Sequence, residues 1–112
     1  SGIFTFPSTG YYLITFNSTY SGTRDDGYIT SRIDVTPDNS TYTTVSETQT
    51  NNGAGAGENA GAYGQCQFIF DVTSTSTHKC RFQYTSLSSG TTINGSTTIN
   101  MTNMIFTRLG DT

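Results

Sequence analysis

Charge is scarce in this chain. Only 12% of its 112 residues are Asp, Glu, Lys or Arg, about half of the ~25% usual for a soluble domain. The basic residues Arg24, Arg32, Lys79, Arg81 and Arg108 are scattered, and the net charge is −3. Recognition of nucleic acid needs a basic patch or stripe, so no nucleic-acid partner is expected. Long apolar runs are also missing. None approaches the ~18 residues of a spanning helix, so no membrane insertion is expected. The strong helix formers Ala, Leu, Lys and Glu are few, and no window keeps a 3.6-residue apolar period. Cysteine is limited to Cys66 and Cys80, which allows one disulfide at most.

Short polar side chains fill the space left by charge: 23 Thr, 13 Ser and 8 Asn. Apolar residues make up 32%, yet 7 Tyr and 7 Phe stand among them. Disordered chains combine high net charge with few aromatics, and this one does neither. Thr, Tyr, Phe and Ile suit a pleated surface. The composition predicts an all-β fold, and the length suits one domain over residues 1–112.

Alternation predicts where the strands lie. Ile3 to Phe6 is a short strand stopped by Pro7, and Tyr11 to Tyr20 is a long one. In the long strand Tyr12, Ile14 and Phe16 share one face, and Tyr11, Leu13 and Thr15 share the other. Apolar residues on both faces predict burial on both sides, by a second sheet and by a partner chain. Ser21 to Gly27 reads as a loop. Tyr28 to Thr36 alternates Ile29, Ser31, Ile33 and Val35 against Tyr28, Thr30, Arg32 and Asp34. Pro37-Asp38-Asn39-Ser40 has turn chemistry, and Thr41 to Thr48 is a further strand. Residues 51–62 (NNGAGAGENAGA) offer little packing or restraint and predict a mobile Gly/Ala loop. Gln65 to Val72 and His78 to Thr85 are expected to form a hairpin through Thr73 to Thr77. In that register Cys66 and Cys80 lie several pairs apart, too far for a disulfide, so free thiols are expected. Asn94-Gly95, between the near-repeats Thr91 to Asn94 and Thr97 to Asn100, is a type I′ hairpin signal. Met101 to Leu109 closes the chain. Short strands at this spacing predict a sandwich or barrel.

Catalytic motifs are weak. Gly55-Ala56-Gly57-Glu58-Asn59-Ala60 fits a loose dinucleotide pattern, but Gly61-Ala62-Tyr63-Gly64 will not start the helix that pattern needs. His78 is the only histidine. A triad would need a defined carboxylate and serine around it, and Asp71 across the expected turn is a harmless partner. His78, Cys66 and Cys80 lack the ligand spacing of a zinc site. Asp25, Asp26, Asp34 and Asp38 are where calcium would be sought, but they show no spaced loop pattern. No catalytic residue, cofactor or metal is therefore expected, with calcium the sole candidate ion. Asn17, Asn39, Asn94 and Asn100 head glycosylation sequons, which matter only in a eukaryotic secretory pathway.

Gly2-Ile3-Phe4-Thr5-Phe6-Pro7-Ser8-Thr9-Gly10-Tyr11-Tyr12-Leu13-Ile14 resembles a signature of the complement C1q globular head and tumour necrosis factor superfamily, G-x-F-x-x-P-x-x-G-x-Y-x-F. Gly2, Phe4, Pro7, Gly10 and Tyr12 match, and Ile14 stands where Phe is frequent. The segment from Met104 to Thr112 resembles the last strand of such domains in phage structural proteins of the marine and cyanophage type. The resemblance implies an antiparallel ten-strand jelly roll assembled into tight trimers. It also implies an axis lined by strands matching Tyr11 to Thr19, His78 to Thr85 and Met104 to Leu109. Against that family the chain looks about two strands short, as the C-terminal part of a longer fibre or appendage polypeptide. Tyr11, Leu13 and Ile105 are then expected at the trimer interface. The function expected is a non-enzymatic virion module at a phage fibre tip, a homotrimer beside other virion proteins, exposed to a host-surface receptor or glycan. Tyr20, Arg24, Asp25, Asp26 and Tyr28 are the expected receptor contacts, since Tyr and Arg are favoured anchors. The alternative is a secreted complement-type or lectin-like recognition head of a cellular organism.

Overall fold

The computed structural model describes residues 2–23, 25–53 and 58–112, with Asp25 described in its backbone only. Among these residues there is no helix. In chain order the strands are β1 (Ile3–Thr5), β2 (Gly10–Gly22), β3 (Asp25–Thr36), β4 (Thr43–Gly53), β5 (Ala60–Val72), β6 (Lys79–Thr85), β7 (Thr91–Ile93) and β8 (Asn103–Gly110). They form two antiparallel sheets. One runs β1-β6-β3-β4. In the other, β2 is central: β5 pairs along its whole length, and β8 and β7 share its opposite edge.

The period-2 pattern places the core as expected. Tyr12, Ile14 and Phe16 of β2 face Ile33 and Val35 of β3, with Phe6, Phe70, Val72 and Cys80 between the sheets. Each large apolar side chain removed from water there contributes about 1.5–3 kcal/mol. Phe4, Phe82 and Phe106 continue the cluster with ring centroids 5.4–5.9 Å apart, and bridge β1, β6 and β8 at one open side. On the other side β4 runs alongside β5. Pro7 cannot donate to a ladder, so β1 ends before it. The chain then turns through Ser8, which accepts from the Tyr12 hydroxyl through its carbonyl at 3.0 Å. Gly10 has φ 147° and lies against the Gly110 carbonyl, where a Cβ would come within 2.6 Å. Pro37 to Ser40 is the β3–β4 turn. The Asp38 carboxylate accepts from the Ser40 and Thr41 amides at 2.9 and 2.8 Å, and Asn39 takes φ 61°. Those amide bonds and the Thr36 hydroxyl hold the Asp38 carboxyl well below its ordinary range.

Towards the Gly22 end the interior changes chemistry. Ser18 and Ser31 meet at 2.7 Å, and the Tyr20 hydroxyl meets Ser31 at 2.7 Å. Ser18 also donates to the Gly64 carbonyl at 3.1 Å. A Cβ on Gly64 would sit 3.0–3.2 Å from Ser18, Thr48 and Ser31, so glycine lets β5 approach this polar seam.

Several sequence-based expectations are corrected. Gln65 to Thr85 is not a hairpin: β5 pairs with β2, while β6 pairs with β1 and β3 in the other sheet. Residues 73–77 cross between sheets. His78 to Thr85 therefore does not share a sheet with β2 and β8; β5 takes that place. Cys66 and Cys80 are both buried free thiols, held apart by position along β3 rather than by the expected register: Cys66 lies at the Ser31 carbonyl and Cys80 opposite Val35, four residues and about 13 Å further on. Asn94-Gly95 makes no hairpin. The Asn94 amide donates to the Thr19 carbonyl at 2.8 Å, and Thr97 to Asn100 is irregular. Strand structure also covers much of two expected loops. β2 and β3 extend to Gly22 and from Asp25, while β4 runs to Gly53 and β5 starts at Ala60. Residues 54–57 of the Gly/Ala stretch lie outside the described residues.

Candidate functional site

Among the described residues, no other element covers the outer face of the β2 sheet. Odd-numbered residues of β2 point to it, and antiparallel register brings their partners onto the same face. Leu13 lies between Ile69 of β5 and Thr107 of β8; Thr15 lies between Gln67 and Ile105. Tyr11 pairs with Asp71 and with Gly110, across a bulge that carries Leu109. Tyr11, Ile69, Ile105 and Leu109 are all exposed, and Leu13 is half-buried among them. The structure therefore brings the expected residues Tyr11, Leu13 and Ile105 together. It adds Ile69, which the sequence reading did not single out, opposite Leu13 on β5.

The other half of this face is polar and internally satisfied. Asn17 donates to the Asn103 side chain at 2.9 Å and accepts from the Tyr63 hydroxyl at 2.9 Å and Gln65 at 2.6 Å. Gln67 donates to Thr15 at 3.2 Å. Among the described residues in these pairs, Asp71 is the one charged side chain, and the Thr112 hydroxyl donates to it. The face is thus uncharged along its centre, apolar at one end and amide-rich at the other. Its side chains are held in place before any partner arrives.

The five expected receptor contacts are not one surface. Tyr20 is fully buried, with its ring in the core and its hydroxyl on Ser31. Its even number keeps it in phase with Tyr12, Ile14 and Phe16, so its expected exposure is corrected. Asp26 is buried as well. Its carboxylate accepts from the Ser88 amide at 2.8 Å and ties the segment before β7 to β3. That amide bond, aided by the Thr91 and Ser88 hydroxyls, outweighs burial and lowers its pKa. Arg24 and the Asp25 side chain lie outside the described residues. Only Tyr28 is seen exposed.

A bulge sets the surroundings of Tyr28. Asp26 pairs with Asn52 and Ile29 with Thr50, so Gly27 and Tyr28 together face Asn51 alone. The extra residue lets Asp26 and Ile29 both point inward while Tyr28 turns out, a re-aiming that bulges produce. Beside it opens a depression of about 390 Å³ lined by Gly27, Tyr28, Gln49, Thr50 and Asn51. Nothing in the sequence beyond Gly27 signals this groove, and the expected strand stopped one residue short of Gln49.

The other chemistry-bearing residues do not converge. The rings of His78 and Phe70 stack at 5.4 Å, and the His78 nitrogens meet the Thr73 and Thr77 hydroxyls at 3.3 and 3.2 Å. The Asp71 partner expected for His78 is instead bound to Thr112. Asp26 and Asp34 lie eight residues apart along β3, roughly 25 Å at the usual strand rise. Asp34 is buried in an ion pair with Arg81 at 2.9 Å, and Asp38 closes its own turn. Among the described residues no three His, Cys, Asp or Glu side chains gather as a metal site would need. Burial pushes the Cys80 thiol up to about 12 and also raises Cys66.

No protein-family model and no curated protein matches the chain.

Proposed function

We propose that this chain is a non-enzymatic structural module of a virion: a jelly-roll subunit that trimerises through the outer face of the β2 sheet at the tip of a phage fibre or appendage. The observation that carries the reading is that face, uncharged at its centre, with Tyr11, Leu13, Ile69, Ile105 and Leu109 grouped at one end. Four of these side chains keep about half their area exposed, and covering the rest is worth roughly 1 kcal/mol each. Association costs several kcal/mol in lost freedom, so three faces must also match their amide rows around Asn17.

Two further observations support it. The ladders β1–β6, β2–β5 and β3–β4 nest inside one another and alternate between the two sheets, which supports reading the chain as one long hairpin folded over itself into a jelly roll. The signature from Gly2 to Ile14 resembles the superfamily in which such sandwiches trimerise, and its Tyr12 and Ile14 sit in the core.

Analytical ultracentrifugation tests the assembly. The expected result is a trimer at micromolar concentration that Leu13→Lys or Ile69→Lys converts to a folded monomer with unchanged circular dichroism. A wild-type monomer, or a trimer indifferent to both substitutions, sinks the proposal. Antibodies against the chain should label appendage tips on particles from the native source. Glycan mass on native Asn17 or Asn100 would instead identify a secreted recognition head.

A further inference from the structure

The groove at the β3 bulge lies on the sheet opposite the proposed trimer face, so assembly leaves it open. A hydrogen-bonded chain of side chains runs into it. Arg32 donates to Glu47 at 2.9 Å, Gln49 donates to Glu47 at 3.1 Å, and Gln49 also donates to the Tyr28 hydroxyl. These groups are exposed yet mutually fixed. Tyr28 presents 52% of its surface, and among the described residues no atom beyond the chain neighbours of Gly27 lies within 4 Å of the point a Cβ there would occupy.

We propose that this groove is a carbohydrate subsite that takes one neutral pyranose ring, stacked on Tyr28 with its hydroxyls bonded to Gln49 and Asn51. The chemistry on each side corresponds. A pyranose has a face of C–H bonds that packs on an aromatic ring, and a rim of vicinal hydroxyls that donate and accept. The groove's lining offers one aromatic, two amides and the Thr50 hydroxyl, with no second apolar side chain among the described residues to hold a peptide anchor. Its volume falls at the lower end of the ~300–1,000 Å³ range of small-ligand sites. Among the described residues Arg32 is the cation nearest in sequence to the groove strands and is engaged by Glu47, whose carboxylate, bonded to Gln49, disfavours an acidic sugar. A site this open binds weakly alone. Three copies on one trimer, presented to a surface dense in glycans, multiply the affinity through effective concentration. The inference rests on the virion reading only for where the glycan is found.

The test is a glycan array probed with the full chain, followed by NMR titration with the methyl glycosides of whichever sugars score. One arm carries bacterial envelope oligosaccharides, the other animal N-glycan fragments, and each includes neutral and sialylated members. The expected result is binding of neutral hexose-terminated members, with Tyr28 ring resonances shifting on titration. Tyr28→Ala should weaken binding by about 10-fold or more, the scale of losing an aromatic anchor. Gln49→Ala should weaken it by about 3- to 10-fold, the net worth of one hydrogen bond. Tyr84→Ala, which removes a similarly exposed tyrosine outside the groove, should leave it unchanged. Binding in either arm with this variant pattern supports the subsite, and binding in the animal arm alone counts against the virion reading. The inference is overturned if no sugar moves Tyr28 at millimolar concentration, if only sialylated members bind, or if Tyr28→Ala binds as wild type. Ultracentrifugation of the same samples separates the two proposals, since a trimer that binds no sugar loses only this one.

Discussion

Replacing Ser31 by Ala tests whether Tyr20 is a core residue or a surface one. Among the described residues the Tyr20 hydroxyl meets Ser31 alone, whereas Ser18 has both Ser31 and the Gly64 carbonyl. Ser31→Ala therefore leaves one buried hydroxyl, that of Tyr20, without a partner. An orphaned buried hydroxyl costs about 1–3 kcal/mol. Tyr20→Phe removes the donor while Ser31 keeps Ser18, and should cost about 1 kcal/mol. The double variant has no orphan, so it should be no less stable than Ser31→Ala alone. The cycle thus shows a coupling of about 1 kcal/mol or more, well beyond the additivity expected of distant sites. At ~2.1 cal/mol/K per residue, a chain of 112 residues shifts its Tm by about 4 °C for each kcal/mol. Melting is followed by far-UV circular dichroism at one protein concentration, because the chain has no Trp and association would shift Tm. If Tyr20 stood on the surface, Tyr20→Phe would be silent within about 0.5 kcal/mol and the two changes would add. That outcome would refute the core placement, and with it the phase of the second half of β2.

Other substitutions probe the same end of the sandwich and the two thiols. Gly22→Ala places a methyl 2.7 Å from both the Asn52 amide nitrogen and the Gly90 carbonyl. The carbonyl is backbone and cannot yield, so a loss of about 1–3 kcal/mol is expected in urea unfolding. Asp26 is held below its ordinary pKa of 3.8, chiefly by the Ser88 amide. A depressed carboxylate contributes fully above the unfolded value and loses its contribution as pH falls through the folded one. Wild-type Tm should accordingly drop more steeply than that of Asp26→Asn below about pH 4, and parallel curves would contradict the bond. Cys66 and Cys80 should resist a thiol reagent at pH 8 and react fully in urea. Rapid native labelling would place at least one of them outside the core.

The sequence carried the faces of the strands better than their partners. Alternation put Tyr12, Ile14 and Phe16 inward and Tyr11 and Leu13 outward, because a period of two follows from backbone pleating alone. It could not say that β5 joins β2, since every pairing of β5 that keeps Cys66, Phe70 and Val72 inward satisfies the same pattern. The short link 73–77 made a hairpin look natural. The fold instead uses it to cross sheets, and β5 pairs with β2 along their full length, from Gly10↔Val72 to Gly22↔Ala60. The Asn94-Gly95 signal failed for a related reason. A type I′ turn needs two flanking strands, and the Asn94 side chain is bound to Ser21 on the edge of β2 instead.

Tyr20 and Tyr28 separate what was legible at the functional surface from what was not. Tyr20 continues an unbroken run of even-numbered inward residues from Tyr12 through Ser18, so its burial follows from phase, and reading it as an exposed receptor contact ignored that phase. Tyr28 is set outward by its alternation with Ile29, Ser31, Ile33 and Val35, but its surroundings depend on a bulge, which adds one residue to β3 and reverses the parity before it. Without the bulge, Asp26 would point outward with Tyr28. The fold instead turns two consecutive residues outward, and only glycine at position 27 hints at it. The groove beside Tyr28 is thus a product of long-range register: β4 must supply Gln49 and Asn51 opposite a kink that local propensity does not encode. The outer face of the β2 sheet is the reverse case, because Tyr11, Leu13 and Ile105 are each marked by alternation, and pairing adds Ile69. Sequence placed Tyr11, Leu13 and Ile105 outward one strand at a time, and antiparallel pairing with β5 and β8 turned them into one surface.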